Sequence, residues 1–98
     1  MKEIFRLKEM LENENIPFEF IEHEDLEGYQ ITYPIMDTSI LQFDISIIQH
    51  KYSYGNNDNL LEMMDVSKTD VEGYLSAEDV FERIKEHYKA GGIDEKSL

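Results

Sequence analysis

Ile40-Leu41-Gln42-Phe43-Asp44-Ile45-Ser46-Ile47-Ile48-Gln49 is the stretch that decides the fold class. Leu41, Phe43, Ile45 and Ile47 recur at period two, so a strand here puts all four on one face of a sheet. Asp44, Ser46 and Ile48 fall on the other face, and Ile48 hints that this face too is partly covered. Just upstream, Tyr29-Gln30-Ile31-Thr32-Tyr33 alternates in the same way, and Pro34 ends it or places it at an edge. Phe18-Glu19-Phe20-Ile21-Glu22 is a third candidate strand. Glu24-Asp25-Leu26-Glu27-Gly28 links it to the second, making a hairpin. Three strands joined in sequence read as an antiparallel meander, which must bury one face under helices.

The flanks supply those helices. Over residues 2–14, Ile4, Leu7 and Leu11 form an apolar stripe, widened by Phe5 and Met10. Pro17 biases Ile16 toward extended backbone, so the helix stops before it. At the other end, Ser76 with Asp79 three residues on is a capping-box variant. Val80, Phe81, Ile84 and Tyr88 then share one helical face, and Gly91-Gly92 suits a left-handed stop. Between the sheet and this helix, Asp58 is placed to cap a short helix over residues 59–65, and residues 66–73 read as a charged loop. The expectation is an α+β fold. It has a three- to four-stranded antiparallel meander, with an N-terminal helix, a short helix and a C-terminal helix packed on one face. Residues 1–92 form a single domain, and 93–98 form a frayed tail.

Composition bounds what this fold does. The 98 residues carry 9 Lys and Arg against 22 Asp and Glu, a formal charge of −13. Leu, Ile, Val and Phe make up 27 of the 98, enough to exclude a wholly disordered acidic tail. With no cysteine there is no disulfide framework, thiolate zinc site or thiol nucleophile. No apolar run approaches the ~18 residues of a membrane span, and the opening MKEIFRLKEM lacks a signal-peptide apolar region. These features predict a cytoplasmic protein. Residues 9–50 hold ten carboxylates and not one Lys or Arg. Such a stretch repels nucleic acid and anionic membranes and attracts a basic protein surface. Spread evenly, the net charge comes to roughly one per 450 Å² of the surface expected for this mass. Duplex DNA carries roughly one per 100 Å². Imitation of DNA therefore needs the carboxylates clustered on one face.

The residues show no catalytic constellation. No serine sits in a Gly-x-Ser-x-Gly elbow. His23 lies among Glu22, Glu24 and Asp25, but without the spacing of a zinc or calcium motif. Carboxylate pairs are so abundant that their proximity means little. The five glycines form no phosphate loop. Hence no cofactor, metal or catalytic residue is expected.

The aromatic residues are more informative. Six tyrosines and no tryptophan favour half-exposed, amphipathic positions. Tyrosines beside acids suit a surface that meets Arg and Lys, by cation–π contact and ion pairing together. The candidate interaction surface is Glu19, Glu22, Glu24, Asp25, Glu27, Tyr33, His50, Tyr52 and Tyr54. The turn-rich segment from Gln49 to Asp58 is the loop long enough to carry it.

Several stretches are also alike in texture to one group of proteins. They are MKEIFRLKEMLENENIPFEFIE, Gly28-Tyr29-Gln30-Ile31, Ser46-Ile47-Ile48-Gln49-His50 with Ser53-Tyr54-Gly55, Asn59-Leu60-Leu61-Glu62-Met63-Met64, and Gly73 to Ile84. Together they resemble small uncharacterised proteins of phages and prophages of Gram-positive bacteria. The resemblance implies a phage-type origin and a host-cell cytoplasmic setting, and brings no site residues.

Three functions compete. The first is a non-enzymatic accessory protein that binds a basic partner. The second is a DNA mimic that inhibits a nucleic-acid-binding enzyme. The third is a ligand-binding or enzymatic domain using Tyr33, His50, Tyr52 and Tyr54 around a concave sheet face. The mutual repulsion of two −13 chains favours a monomer, with a weak edge-paired dimer second. In a monomer, residues 50–54 would fold back as a fourth strand to cover the exposed edge.

Overall fold

The computed structural model describes residues 1–34, 44–65, 68 and 70–90. The elements run α1 (Glu3–Asn13), β1 (Glu19–His23), β2 (Gly28–Tyr33), β3 (Ile45–Gln49), β4 (Leu61–Asp65), β5 (Val71–Leu75) and α2 (Ala77–Lys89). The strands form one antiparallel sheet in the order β1-β2-β3-β4-β5. The class is α+β, with five strands where three or four are expected.

Directly paired residues of an antiparallel sheet share a face. Phe20, Ile31, Ile47 and Met63 lie opposite one another in a row across β1 to β4. This row, with Tyr33, Ile45 and Leu61, meets Ile4, Leu7 and Leu11 of α1 and Val80, Phe81 and Ile84 of α2 in one core. Both apolar stripes read from the sequence are therefore used. The opposite face carries the row Ile21, Gln30, Ile48 and Glu62, and beside it Glu19, Thr32, Ser46 and Met64. A polar chain crosses that face: His23 Nε2 lies 2.8 Å from Gln30 Oε1, and Gln30 Nε2 donates to Ser46 Oγ at 2.9 Å.

The helix ends are held from afar. α1 has no side-chain cap of its own at Lys2. Instead Glu3 N–H donates to Asn59 Oδ1 and Ile4 N–H to Gln49 Oε1, both at 3.0 Å. The first-turn donors that a helix leaves unpaired are thus satisfied by the sheet end. α2 has the expected capping box, Ser76 Oγ accepting from Asp79 N–H and Asp79 Oδ2 accepting from Ser76 N–H. Its first N–H, on Ala77, donates at 2.7 Å to Glu3 Oε2, a buried carboxylate from the other helix.

Three sequence expectations are corrected. The short helix over 59–65 is strand β4. Leu61 and Met63 face the core while Glu62 and Met64 face away, which is alternation at period two. The charged loop over 66–73 gives way at Val71 to strand β5. The open edge of β3 is covered by β4, and residues 50–54 form a loop rather than a fourth strand. Residues 40–43 of the strand expected over 40–49, the Gly91-Gly92 stop and the tail 93–98 lie outside the described residues.

Candidate functional site

One end of the sheet gathers the links between strands. There β1 turns into β2 through a 3-10 turn, Glu24–Leu26, closed by Glu27 N–H donating to Glu24 O, with Glu27 left-handed at φ +54°. The β3–β4 loop crosses beside it, and Lys51 N–H donates to Leu26 O at 3.1 Å. This close crossing requires Gly28. A Cβ there would come within 2.5 Å of His50 Cα and nearer still to the Gln49 carbonyl.

The loop is tied together by its own polar groups. Ser53 is buried; its Oγ donates to His50 O and accepts from His50 N–H. Tyr52 N–H donates to His50 Nδ1 at 3.1 Å. Tyr54 N–H donates to Glu62 Oε1 at 2.7 Å. Three residues around the loop are left-handed: Gly55 at φ +97°, Asn59 at +56° and Tyr74 of β5 at +59°. For a bulky side chain such as Tyr74 this conformation costs of order 1–2 kcal/mol. Here it sits at a register shift between β4 and β5. Beside it, Gly73 lies so close to Tyr54 that a Cβ would come within 2.5 Å of Tyr54 Cβ.

The outcome is an open groove of about 590 Å³ lined by Tyr52, Tyr54 and Tyr74, with Lys51, Asn57 and Asp58 at its rim. The three tyrosines are 72%, 62% and 61% exposed, unusual for large rings on ordered backbone. Lys51 Nζ lies 5.3 Å from the Tyr52 ring centre and 3.3 Å from Glu27 Oε2. One cation therefore already sits between a tyrosine and an acid of the adjoining turn, a small instance of the recognition expected of the surface.

Of the nine sequence-derived residues, this end of the sheet brings together Glu24, Asp25, Glu27, His50, Tyr52 and Tyr54. Glu22 lies next to them on the outer strand, while Glu19 is at the far end of β1. Tyr33 is a correction: it is fully buried, with its ring 5.9 Å from that of His87, and presents nothing to a partner. His50 lies below the groove and organises the loop. The groove above the loop includes neither Tyr33 nor His50. Tyr74 is the tyrosine of the lining outside the sequence-derived set, because it belongs to β5, a strand the sequence reading does not include.

The shifted ionisable groups lie elsewhere. Arg83 donates to both Glu72 oxygens, at 2.8 and 2.9 Å, and holds that carboxyl below its ordinary value. Arg6 does the same to Glu78 and also binds Glu3. Both are ion pairs that fasten α2, to β5 in one case and to α1 in the other. Among the described residues no group of three or more His, Asp and Glu is arranged to hold a metal ion. No described helix is long and apolar enough to cross a membrane. Among the described residues the carboxylates occur on α1, on β1 and the turn that follows it, on β4 and β5, and on α2. With a surface of 5983 Å², the net charge is about one per 460 Å². No family model matches the chain, and no curated protein or solved structure matches it either.

Proposed function

We propose that this chain is a non-enzymatic interaction module whose tyrosine groove and adjoining acidic turn bind a basic segment of a partner protein. One observation carries the reading: three tyrosines more than 60% exposed line a single groove on a loop fixed by internal hydrogen bonds. Exposed rings on fixed backbone lose little entropy on binding, and their faces accept guanidinium or ammonium groups. Asp58 lines the groove and Glu24 and Asp25 lie on the adjoining turn; all three are exposed and make no ion pair among the described residues. A segment bearing Arg or Lys thus meets both kinds of contact. The setting proposed with it is the cytoplasm of a bacterial host, in keeping with the phage-type resemblance.

A nine-residue oligoarginine peptide tests the reading. The wild-type protein binds it at 0.05 M salt, and binding weakens steeply beyond about 0.15 M, where the Debye length is near 8 Å. Replacing Tyr52, Tyr54 and Tyr74 by serine removes up to three cation–π contacts of ~0.5–1 kcal/mol each. The triple variant should therefore bind roughly ten- to a hundred-fold more weakly while remaining folded. An unchanged affinity in the triple variant removes the groove from the function. DNA imitation predicts instead that nuclease or repressor competition assays respond to carboxylate neutralisation and ignore the three tyrosines.

A further inference from the structure

We infer that the outer edge of β1 is a docking site for an extended basic strand of another protein, which would join the sheet as its sixth strand beyond β1. The two ends of the sheet differ. β5 is blunted: its register with β4 shifts, Tyr74 is left-handed, and Glu72 is tied to Arg83. Bulges and irregularities of this kind discourage further pairing. β1 has none of them. Its five residues pair with β2 one for one, and it has no partner on its other side among the described residues. About half of its backbone N–H and C=O groups therefore point outward, ready to pair.

A groove meets this edge at Phe20, on the helix side. It holds about 420 Å³, lined by Met1, Phe5, Lys8, Glu9 and Phe20, and its surface is mainly apolar. Phe20 lies 6.0 Å from Phe5 and 5.5 Å from Tyr29, ring centre to ring centre, so its floor is a packed aromatic cluster. A strand added beside β1 projects alternate side chains over this groove, the arrangement in which backbone bonds give affinity and pockets give specificity.

The charge selects the occupant. Glu19, Glu22, Glu24 and Asp25 lie along the edge and its following turn, and none makes an ion pair among the described residues. A second copy of this chain would bring four more carboxylates to the same seam. A strand with lysines or arginines around a short apolar centre satisfies the backbone, the groove and the carboxylates together. This inference shares with the tyrosine-groove reading the sign of the partner and the turn carboxylates Glu24 and Asp25, and its edge, apolar groove and strand carboxylates Glu19 and Glu22 are its own.

The test uses a nine-residue peptide with valine at two alternate central positions and lysine elsewhere. Bound to the wild-type protein at 0.05 M salt, it should slow hydrogen exchange of the outward amides of Glu19–His23 at least ten-fold. The same peptide N-methylated at alternate residues keeps its charge but cannot pair with a strand edge, and should bind at least ten-fold more weakly. Glu19→Lys with Glu22→Lys should weaken the parent peptide to a similar extent. Tyr52, Tyr54 and Tyr74 replaced by serine should leave it unchanged, which separates this site from the groove. Equal binding of both peptides, protection on β5 instead of β1, or no binding of the parent peptide overturns the inference. So does a dimer in half-molar salt with β1 amides protected, which would make the occupant a second copy.

Discussion

Replacing Glu3 should weaken the fold about as much as truncating a buried apolar side chain of α1. The residue is 7% exposed, and its Oε2 accepts from Ala77 N–H at 2.7 Å and from an Arg6 nitrogen at 2.9 Å. Ala77 is fully buried, so its N–H has no water to turn to. Glu3→Ala strands that donor, at about 1–3 kcal/mol, and removes a charge-assisted bond worth somewhat more than a neutral one. It also deletes a negative charge placed at the N-termini of both helices, at about 0.3–1 kcal/mol each. Together these give roughly 3 kcal/mol, or a fall in Tm of roughly 12–24 °C for a domain of this size. Glu3→Gln keeps an acceptor for Ala77 and loses only the charge, so roughly 1 kcal/mol and 4–8 °C are expected. Urea unfolding followed by far-ultraviolet circular dichroism measures both variants. An alanine variant within about 0.5 kcal/mol of wild type refutes the joint role of Glu3. Equal losses in the two variants refute the division between acceptor and charge.

Three other outcomes follow from particular contacts. Gly28→Ala drives a methyl group into the Gln49 carbonyl and the His50 backbone and should cost about 1–3 kcal/mol in urea unfolding; a neutral result would mean the strand–loop crossing is not tight. Tyr74→Gly relieves a left-handed tyrosine at φ +59° and should raise stability by up to ~1 kcal/mol, since glycine's own entropic cost offsets part of the relief. The same variant should bind oligoarginine more weakly, so a gain in both properties would contradict the assignment of Tyr74. Glu72 is held below its ordinary value of 4.5 by the Arg83 hydrogen bonds, so the unfolded chain takes up this proton first as pH falls. The stabilisation is complete above that value and disappears as pH drops through it and the lower folded value. Both side chains are over a third exposed, at 37% and 38%, so solvent screening limits the effect to below about 1 kcal/mol. The stability difference between wild type and Arg83→Met should shrink between pH 5 and 2.5, and a difference constant with pH would show that the ion pair's charge contributes nothing.

Elements whose partners are close in sequence were legible, and those defined by distant pairing were not. The stripe Ile4, Leu7 and Leu11, the stop before Pro17, the alternation in β2 and β3 and the Ser76–Asp79 cap are local signals, and each element formed where its signal lies. In Leu60-Leu61-Glu62-Met63-Met64, apolar residues at i, i+1, i+3 and i+4 satisfy a helix, while Leu61 and Met63 alone satisfy a strand. The open edge of β3 decides between them, through the pairs Ile47–Met63 and Ser46–Met64. β5 hid because its signal is broken: Val71 and Tyr74 are exposed and the bulge interrupts the alternation. With β5 unread, Tyr74 could not be joined to Tyr52 and Tyr54, although Gly73 before it was a mark of close backbone approach. Glu3 gave no local sign, since its partner Ala77 is 74 residues away.

The acidity has a structural logic that net charge alone does not convey. A sheet with two ends must guard both, and this one guards them by different means. At β5 the bulge spoils the geometry of pairing for any strand. At β1 the geometry is intact and only charge stands guard. Two copies meeting there would set eight carboxylates along a seam of about seven residues, roughly 24 Å at strand rise. Carboxylates 5–8 Å apart repel by about 0.5–0.8 kcal/mol per pair in water, and several such pairs outweigh the modest gain from a few edge hydrogen bonds. Charge of one sign, however, excludes only partners of the same sign. The carboxylates that keep β1 from its own copy leave it open to a basic strand, so protection from self-association and selection of a partner are one property of Glu19, Glu22, Glu24 and Asp25.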